Sequence, residues 1–198
     1  IHWLIMTKLW NPKWENDVIK KRTRSIAELN NLIDFKSITQ WDYHDNKLDT
    51  YTINELQENF ISIIDSIRPE LIFTPSPWDF NHDHRIACEI VEMATKSYYS
   101  PSINEIIAYE IPSSSEHSFP SIRNFIPNLY YDISSYIEPK LKMLDSENFA
   151  PFVLQRINGC GNPQSQFHIP LFKNISSESI ILIKANIGSF WKPWQEIR

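Results

Sequence analysis

Apolar and polar positions fall in blocks along this chain, and the blocks follow a strand–helix–strand rhythm. His2-Trp3-Leu4-Ile5-Met6-Thr7 is a short apolar run and reads as a buried strand. Residues 8–15, with Trp10, Pro12 and Trp14, read as a loop. From about Asn16 to Ile33, apolar residues recur at Val18, Ile19, Ile26, Leu29, Leu32 and Ile33, an imperfect helical spacing. A short strand is predicted around Ser37-Ile38-Thr39, followed by a polar stretch from Asp42 to Asp49 with Asp45-Asn46 as its turn signal. The clearest helix begins at Thr52, which has capping-box spacing to Glu55. Leu56, Phe60, Ile61, Ile63, Ile64 and Ile67 form its apolar face, and Pro69 closes it. Leu71-Ile72-Phe73 is the next strand, and a helix is predicted from about His84 to Ser97. Ile106-Ile107-Ala108-Tyr109 reads as a further strand, residues 112–128 as a Ser/Pro-rich loop, and Tyr131 to Leu144 as a helix interrupted at Pro139.

This alternation predicts an α/β domain with a mainly parallel sheet. The apolar strand at 71–74 is expected at the centre of that sheet, parallel to its neighbours. After about Ser146 the pattern weakens, so residues 1–145 are expected to form the domain and 146–198 a divergent C-terminal segment. The chain starts at Ile1, inside a run that already reads as a buried strand. A preceding segment is therefore expected, with one side of the strand at His2–Thr7 left open in its absence.

Glycine sharpens the picture. Gly159, Gly161 and Gly188 are the only ones, so residues 1–158 can hold neither a dinucleotide fingerprint nor a P-loop. The net charge of -5 gives no nucleic-acid footprint and no polybasic membrane patch. No apolar run approaches the roughly 20 residues of a membrane span. Two cysteines, Cys88 and Cys160, make neither a disulfide framework nor a zinc-thiolate pattern. Free thiols, and a reducing, cytoplasmic setting, are expected.

Chemistry concentrates in Thr74-Pro75-Ser76-Pro77-Trp78-Asp79-Phe80-Asn81-His82-Asp83-His84-Arg85, between the 71–73 strand and the following helix. In open α/β sheets, strand-to-helix turns of this kind are where ligands bind. His82 and His84 are two apart at a helix start, so they cannot share one helical face, which needs a spacing of three or four. One histidine as a metal ligand is the chemical reading. A polar loop with a helix N-cap from Asn81 or Asp83 is the other. A metal phosphohydrolase built on the His82-Asp83 pair fits poorly, because that class is all-helical and strands are predicted here.

The ordered set Asp79-x-Asn81-x-Asp83-His84-Arg85 opening a helix resembles the LmbE/PIG-L family of zinc-dependent N-acetylglucosamine deacetylases. Ile67-Arg68-Pro69-Glu70-Leu71-Ile72-Phe73-Thr74-Pro75 before it is similar to the same family. So are Tyr109-Glu110-Ile111-Pro112-Ser113-Ser114, Phe125-Ile126-Pro127-Asn128, and Tyr131-Asp132-Ile133-Ser134 with Lys140. The resemblance covers roughly residues 1–145. It implies a Rossmann-like three-layer sandwich with Zn2+ at the carboxyl edge of the strands, and hydrolytic N-deacetylation of an N-acetylated sugar or glycoconjugate. It also implies a first motif, His-Pro-Asp-Asp-Glu, carrying two zinc ligands and the general base. That motif is not in this sequence. By the same resemblance, His84 is the remaining ligand and Asp83 orients a catalytic ring. Asn81 stands where many members have a histidine near the developing oxyanion, and offers only a neutral hydrogen bond. Arg22, Asp45, Asp79 and Arg85 fall on the substrate side. A non-catalytic carbohydrate-binding homologue on the same fold is the alternative. His2, His44, His117 and His168 are read as structural or solvated.

Overall fold

The elements predicted up to Tyr109 all form, with bounds that shift for the second strand and for the helix after the third, which spans His82–Ala94 in place of about His84 to Ser97. The computed structural model describes residues 1–96, 102–111, 114, 125–131 and 136, and the backbone of 180–184. The first apolar run forms strand β1 (His2–Lys8), buried along nearly its whole length. Helix α1 (Asn16–Ile33) and strand β2 (Ser37–His44) follow. Strand β2 runs on through Asp42, which lies in the stretch predicted to be a turn, because pairing with β1 continues to His44. A short 3-10 turn at Leu48–Thr50 leads into α2 (Ile53–Ile67). Thr52 caps α2 by accepting the Glu55 N–H at 3.3 Å. Strand β3 (Leu71–Pro75), helix α3 (His82–Ala94) and strand β4 (Glu105–Tyr109) complete the alternation. Of the two candidate caps for α3, Asn81 takes the place, its side-chain oxygen accepting the Asp83 N–H at 2.9 Å. Of the helix predicted over Tyr131 to Leu144, and of the 112–128 loop, most lies outside the described residues.

Helix ends in this part of the chain need left-handed residues, and there is no glycine to supply them. Asp34 (φ 55) ends α1 and Arg68 (φ 50) ends α2, each sending its backbone N–H back to the last turn. Asn46 (φ 58) does the same duty in the turn after β2.

The sheet order is β2-β1-β5-β3-β4, where β5 is Ile180–Lys184. β1 pairs parallel with β2, and β3 parallel with β4. β5 lies between the two pairs and runs antiparallel to both β1 and β3. Two expectations change here. β3 is internal as predicted, but it is parallel only to β4. And the side of β1 expected to be open is paired, Ile5 with Ile180 through His2 with Ile183. The tail contributes this strand, which periodicity alone did not separate from its surroundings.

Helices cover the sheet from both faces. On one, Leu4 and Met6 of β1 and Ile72 of β3 pack with Leu48, Leu56, Phe60, Ile64, Ile86, Ile90 and Val91. On the other, Trp3 and Ile5 meet Leu29 and Ile26 of α1, with Ile38 and Phe73 at the margin. The arrangement is the α/β/α layering of a Rossmann-like fold. Each fully buried Leu, Ile or Phe contributes about 1.5–3 kcal/mol, so the α2–α3 face carries most of the described core. Among the described residues no helix is long and apolar enough to cross a membrane.

Candidate functional site

From β1 the chain moves outward to β2, and from β3 outward to β4 on the other side. The switch point therefore lies between β1 and β3, at their carboxyl ends, where open α/β sheets place their ligands. Three connections converge there: residues 9–15 after β1, 45–50 after β2, and 76–81 after β3. Three buried aspartates, one facing each set of partners, hold them in place.

Asp45 is fully buried and gathers the first connection onto the second. Its Oδ2 accepts from Lys13 Nζ at 2.9 Å, Trp14 Nε1 at 3.1 Å and Asn46 Nδ2 at 2.7 Å. Its backbone oxygen accepts from Trp10 Nε1 at 3.3 Å. The Trp10 ring stacks on His44 with centroids 4.7 Å apart, and Lys47 Nζ lies 4.3 Å from the Trp10 ring centre. The resemblance put Asp45 on the substrate side. Here its carboxylate faces the tryptophan loop.

Asp83, in the first turn of α3, ties the second connection to the helix. Its Oδ2 accepts the Asn46 N–H at 2.7 Å and its Oδ1 the Leu48 N–H at 3.1 Å. Burial pushes its pKa above the usual carboxylate range, against the two backbone hydrogen bonds, and the neighbouring Asp45 charge pushes the same way. A ring-orienting role was the expectation for Asp83. Both of its oxygens instead serve backbone donors.

The carboxylate that meets an imidazole is Asp79. Its Oδ1 lies 3.0 Å from His84 Nδ1 and also accepts the Asn81 N–H at 2.8 Å. Its Oδ2 accepts from Ser114 Oγ at 2.8 Å. Asp79 is fully buried and His84 is only 2% exposed. An Asp79 placed on the substrate side was expected, but its carboxylate is sealed behind His84. Arg85 does not face outward as a free cation either: its Nη1 donates to the backbone oxygens of Asp79 and Phe80, both at 2.7 Å, and fixes the turn. Arg22 is buried on α1, away from the surface role that a helix cation usually has. Asn81 spends its side-chain oxygen on the helix cap.

The two histidines of the motif diverge, as their spacing requires. His82 is exposed, and His84 turns inward. His84 Nε2 is buried and has no hydrogen-bond partner among the described residues. An imidazole held at Nδ1 by a carboxylate, with Nε2 bare, is the arrangement of a metal-ligating histidine. The donor set stops there: among the described residues no group of three His, Cys, Asp or Glu side chains could hold a metal ion. One residue that the sequence reading did not single out belongs to the cluster. Ser114 lies past β4, and its only sequence signal is the Tyr109–Ser114 run that resembles the deacetylases. The other described histidines are structural: His2 Nδ1 lies 2.8 Å from Ser37 Oγ, and His44 carries the Trp10 stack. His117 and His168 lie outside the described residues.

Comparison with known proteins agrees with the motif. Residues 6–95 match the family described as PIG-L, GlcNAc-PI de-N-acetylase. The match begins within β1 and ends just past α3, so it takes in all three connections and the Asp79–Arg85 turn. No curated protein matches the chain.

Proposed function

We propose that this chain, which matches the PIG-L family over residues 6–95, carries one part of a zinc-dependent N-deacetylase site acting on N-acetylglucosamine-type conjugates. One observation carries the reading: the buried, unpartnered Nε2 of His84, backed at Nδ1 by Asp79. A zinc ion bound there would polarise an acetamide carbonyl and lower the pKa of a water molecule. His84 supplies one of the roughly three protein donors that catalytic zinc needs. Asp79 holds the ring, and Asp83 and Arg85 hold the connections around it. Asp79 and Asp83 each spend both carboxylate oxygens on hydrogen bonds inside the fold, so neither is placed to take the water's proton. Residues 1–198 contain no His-Pro-Asp-Asp-Glu, the run from which the resemblance draws the other two ligands and the base.

The test compares two proteins. One is the 198-residue chain, and the other is the same chain extended by a strand ending in His-Pro-Asp-Asp-Glu. Zinc content by equilibrium dialysis and acetate release from N-acetylglucosamine conjugates are measured on both. The chain alone should hold zinc weakly and release no acetate. The extended protein should gain both, and His84→Ala should remove both again. Tight stoichiometric zinc on the chain alone would overturn the reading of one donor.

A second reading is a non-catalytic carbohydrate-binding homologue on the same fold. It predicts that a sugar ligand binds the chain without zinc, and that the extended protein still releases no acetate.

A further inference from the structure

Three buried side chains, His84, Asp79 and Ser114, lie in one hydrogen-bonded line, and the protons on that line can be counted. An ionised Asp79 has only lone pairs to offer. His84 Nδ1 is 3.0 Å from Asp79 Oδ1, so Nδ1 must carry the proton of that hydrogen bond. Ser114 Oγ sits 2.8 Å from Asp79 Oδ2 and 3.5 Å from His84 Nδ1. Its one hydroxyl proton goes to the nearer atom, the carboxylate, because Nδ1 has no lone pair left to receive it. In the neutral form of the ring, that proton count leaves Nε2 as the lone pair.

From this geometry we propose that Ser114 is a positioning residue. It fixes the Asp79 carboxylate, and through it the tautomer and tilt of His84. The position is built for this. Ser114 is 9% exposed, and its backbone N–H closes a turn onto the Ile111 oxygen at 2.9 Å, which pins the hydroxyl over Asp79. Ser114 also lies outside residues 6–95, so the imidazole of the motif depends on a side chain contributed by the segment after β4. Removing the hydroxyl would leave Asp79 Oδ2 buried with one donor fewer. The carboxylate could then rotate about its Cβ–Cγ bond and release the ring. Outer partners of this kind tune a ligating histidine by roughly 10–100-fold in metal affinity.

The role toward a metal rests on His84 being a ligand, but the tautomer does not. The experiment is therefore nitrogen-15 NMR of the His84 ring in the metal-free chain. The parent should show one tautomer, with the proton on Nδ1 and slow exchange of that proton. Ser114→Ala should lose the single tautomer or speed Nδ1–H exchange at least tenfold, and Ser114→Thr should restore it. Asp79→Ala is the second variant: it removes the acceptor of the Nδ1 proton, so the single tautomer should be lost as well. An unchanged Nδ1–H signal and exchange rate in Ser114→Ala would overturn the proposal. So would a Ser114→Thr protein that behaves like Ser114→Ala while remaining folded. If the tautomer responds as expected but the extended protein binds zinc equally well with His84→Ala, the positioning role stands and the ligand role falls.

Discussion

The Asp83 carboxylate accepts the backbone N–H of Leu48 at 3.1 Å, which joins the first turn of α3 to the connection that follows β2. The neighbouring oxygen does the same for Asn46. Asp83→Ala would leave both donors without their acceptor, one of them buried. The expected cost is about 2–4 kcal/mol of stability, read from the urea midpoint. A loss confined to metal binding, with an unchanged midpoint, would show that Asp83 acts on the imidazole and not on the backbone.

His82 and His84 should separate cleanly in function. In the extended, zinc-competent protein, His84→Ala should abolish zinc binding, because Nε2 is the inward donor. His82→Ala should lower zinc affinity less than about threefold, because its side chain is exposed. Equilibrium dialysis decides between them, and the opposite ranking would remove His84 from the site.

Arg68 sits in the left-handed region, φ 50 and ψ 61, at the end of α2. A Cβ there costs about 1–2 kcal/mol. Arg68→Gly should stabilise the protein by roughly 0.5–1 kcal/mol, after the extra freedom of glycine in the unfolded chain is subtracted. Thermal and urea denaturation should both shift upward; a downward shift would mean that the arginine side chain contributes more than its backbone costs.

Tyr43 titrates high. Burial and its hydrogen bond to Glu55, at 2.9 Å, push its pKa from 10.0 to about 12. The folded state thus holds the phenolic proton more tightly than the unfolded state does. That contribution is complete below pH 10 and is lost as pH rises through about 12. Stability of the parent should fall more steeply than that of Tyr43→Phe between pH 10 and pH 12, as urea melts across that range would show. Parallel slopes would mean that Tyr43 ionises equally in both states. At pH 8 the variant should be weaker by about 1 kcal/mol for the missing hydrogen bond.

β5 has a partner on each side, so a residue there that lacks an N–H has no harmless orientation. Leu182 pairs with Trp3 and Phe73. Leu182→Pro should cost about 3 kcal/mol or more and loosen the amides of both β1 and β3 in hydrogen exchange. Protection losses limited to residues 180–184 would indicate that the sheet does not depend on this strand.

Much of this architecture could be read in the chain because it is encoded locally. Thr52 with Glu55, Asn81 ahead of α3, and the apolar face from Leu56 to Ile67 are short-range signals, and each became the element it predicted. That His82 and His84 diverge followed from helical geometry; that His84 is the inward one came from the resemblance and not from the spacing. The roles of the aspartates followed from neither, because they depend on backbone donors and side chains more than thirty residues away: Asp45 on Lys13, Asp83 on Leu48, Asp79 on Ser114. Nothing in the spacing of Asp79-x-Asn81-x-Asp83 says which carboxylate will meet the ring. The β2 extension was hidden for a similar reason: Asp42 is a turn residue by type and a strand residue only because β1 lies beside it.

The pairing of Ile5 with Ile180 sets a schedule for how the molecule is made. As the chain leaves the ribosome, α2 can settle on α3, and β1–β2 and β3–β4 can each form from neighbouring sequence. The two half-sheets then wait, their facing edges bare, for a strand that comes only at Ile180, long after β4 has left the ribosome. The entropy of closing so long a loop rises only logarithmically with its length, so the delay is the greater burden. During it, the backbone of β1 and β3 offers two unpaired edges to any passing chain. Yield in a cell should thus follow translation speed and chaperone supply between β4 and β5, more than the stability of the finished fold.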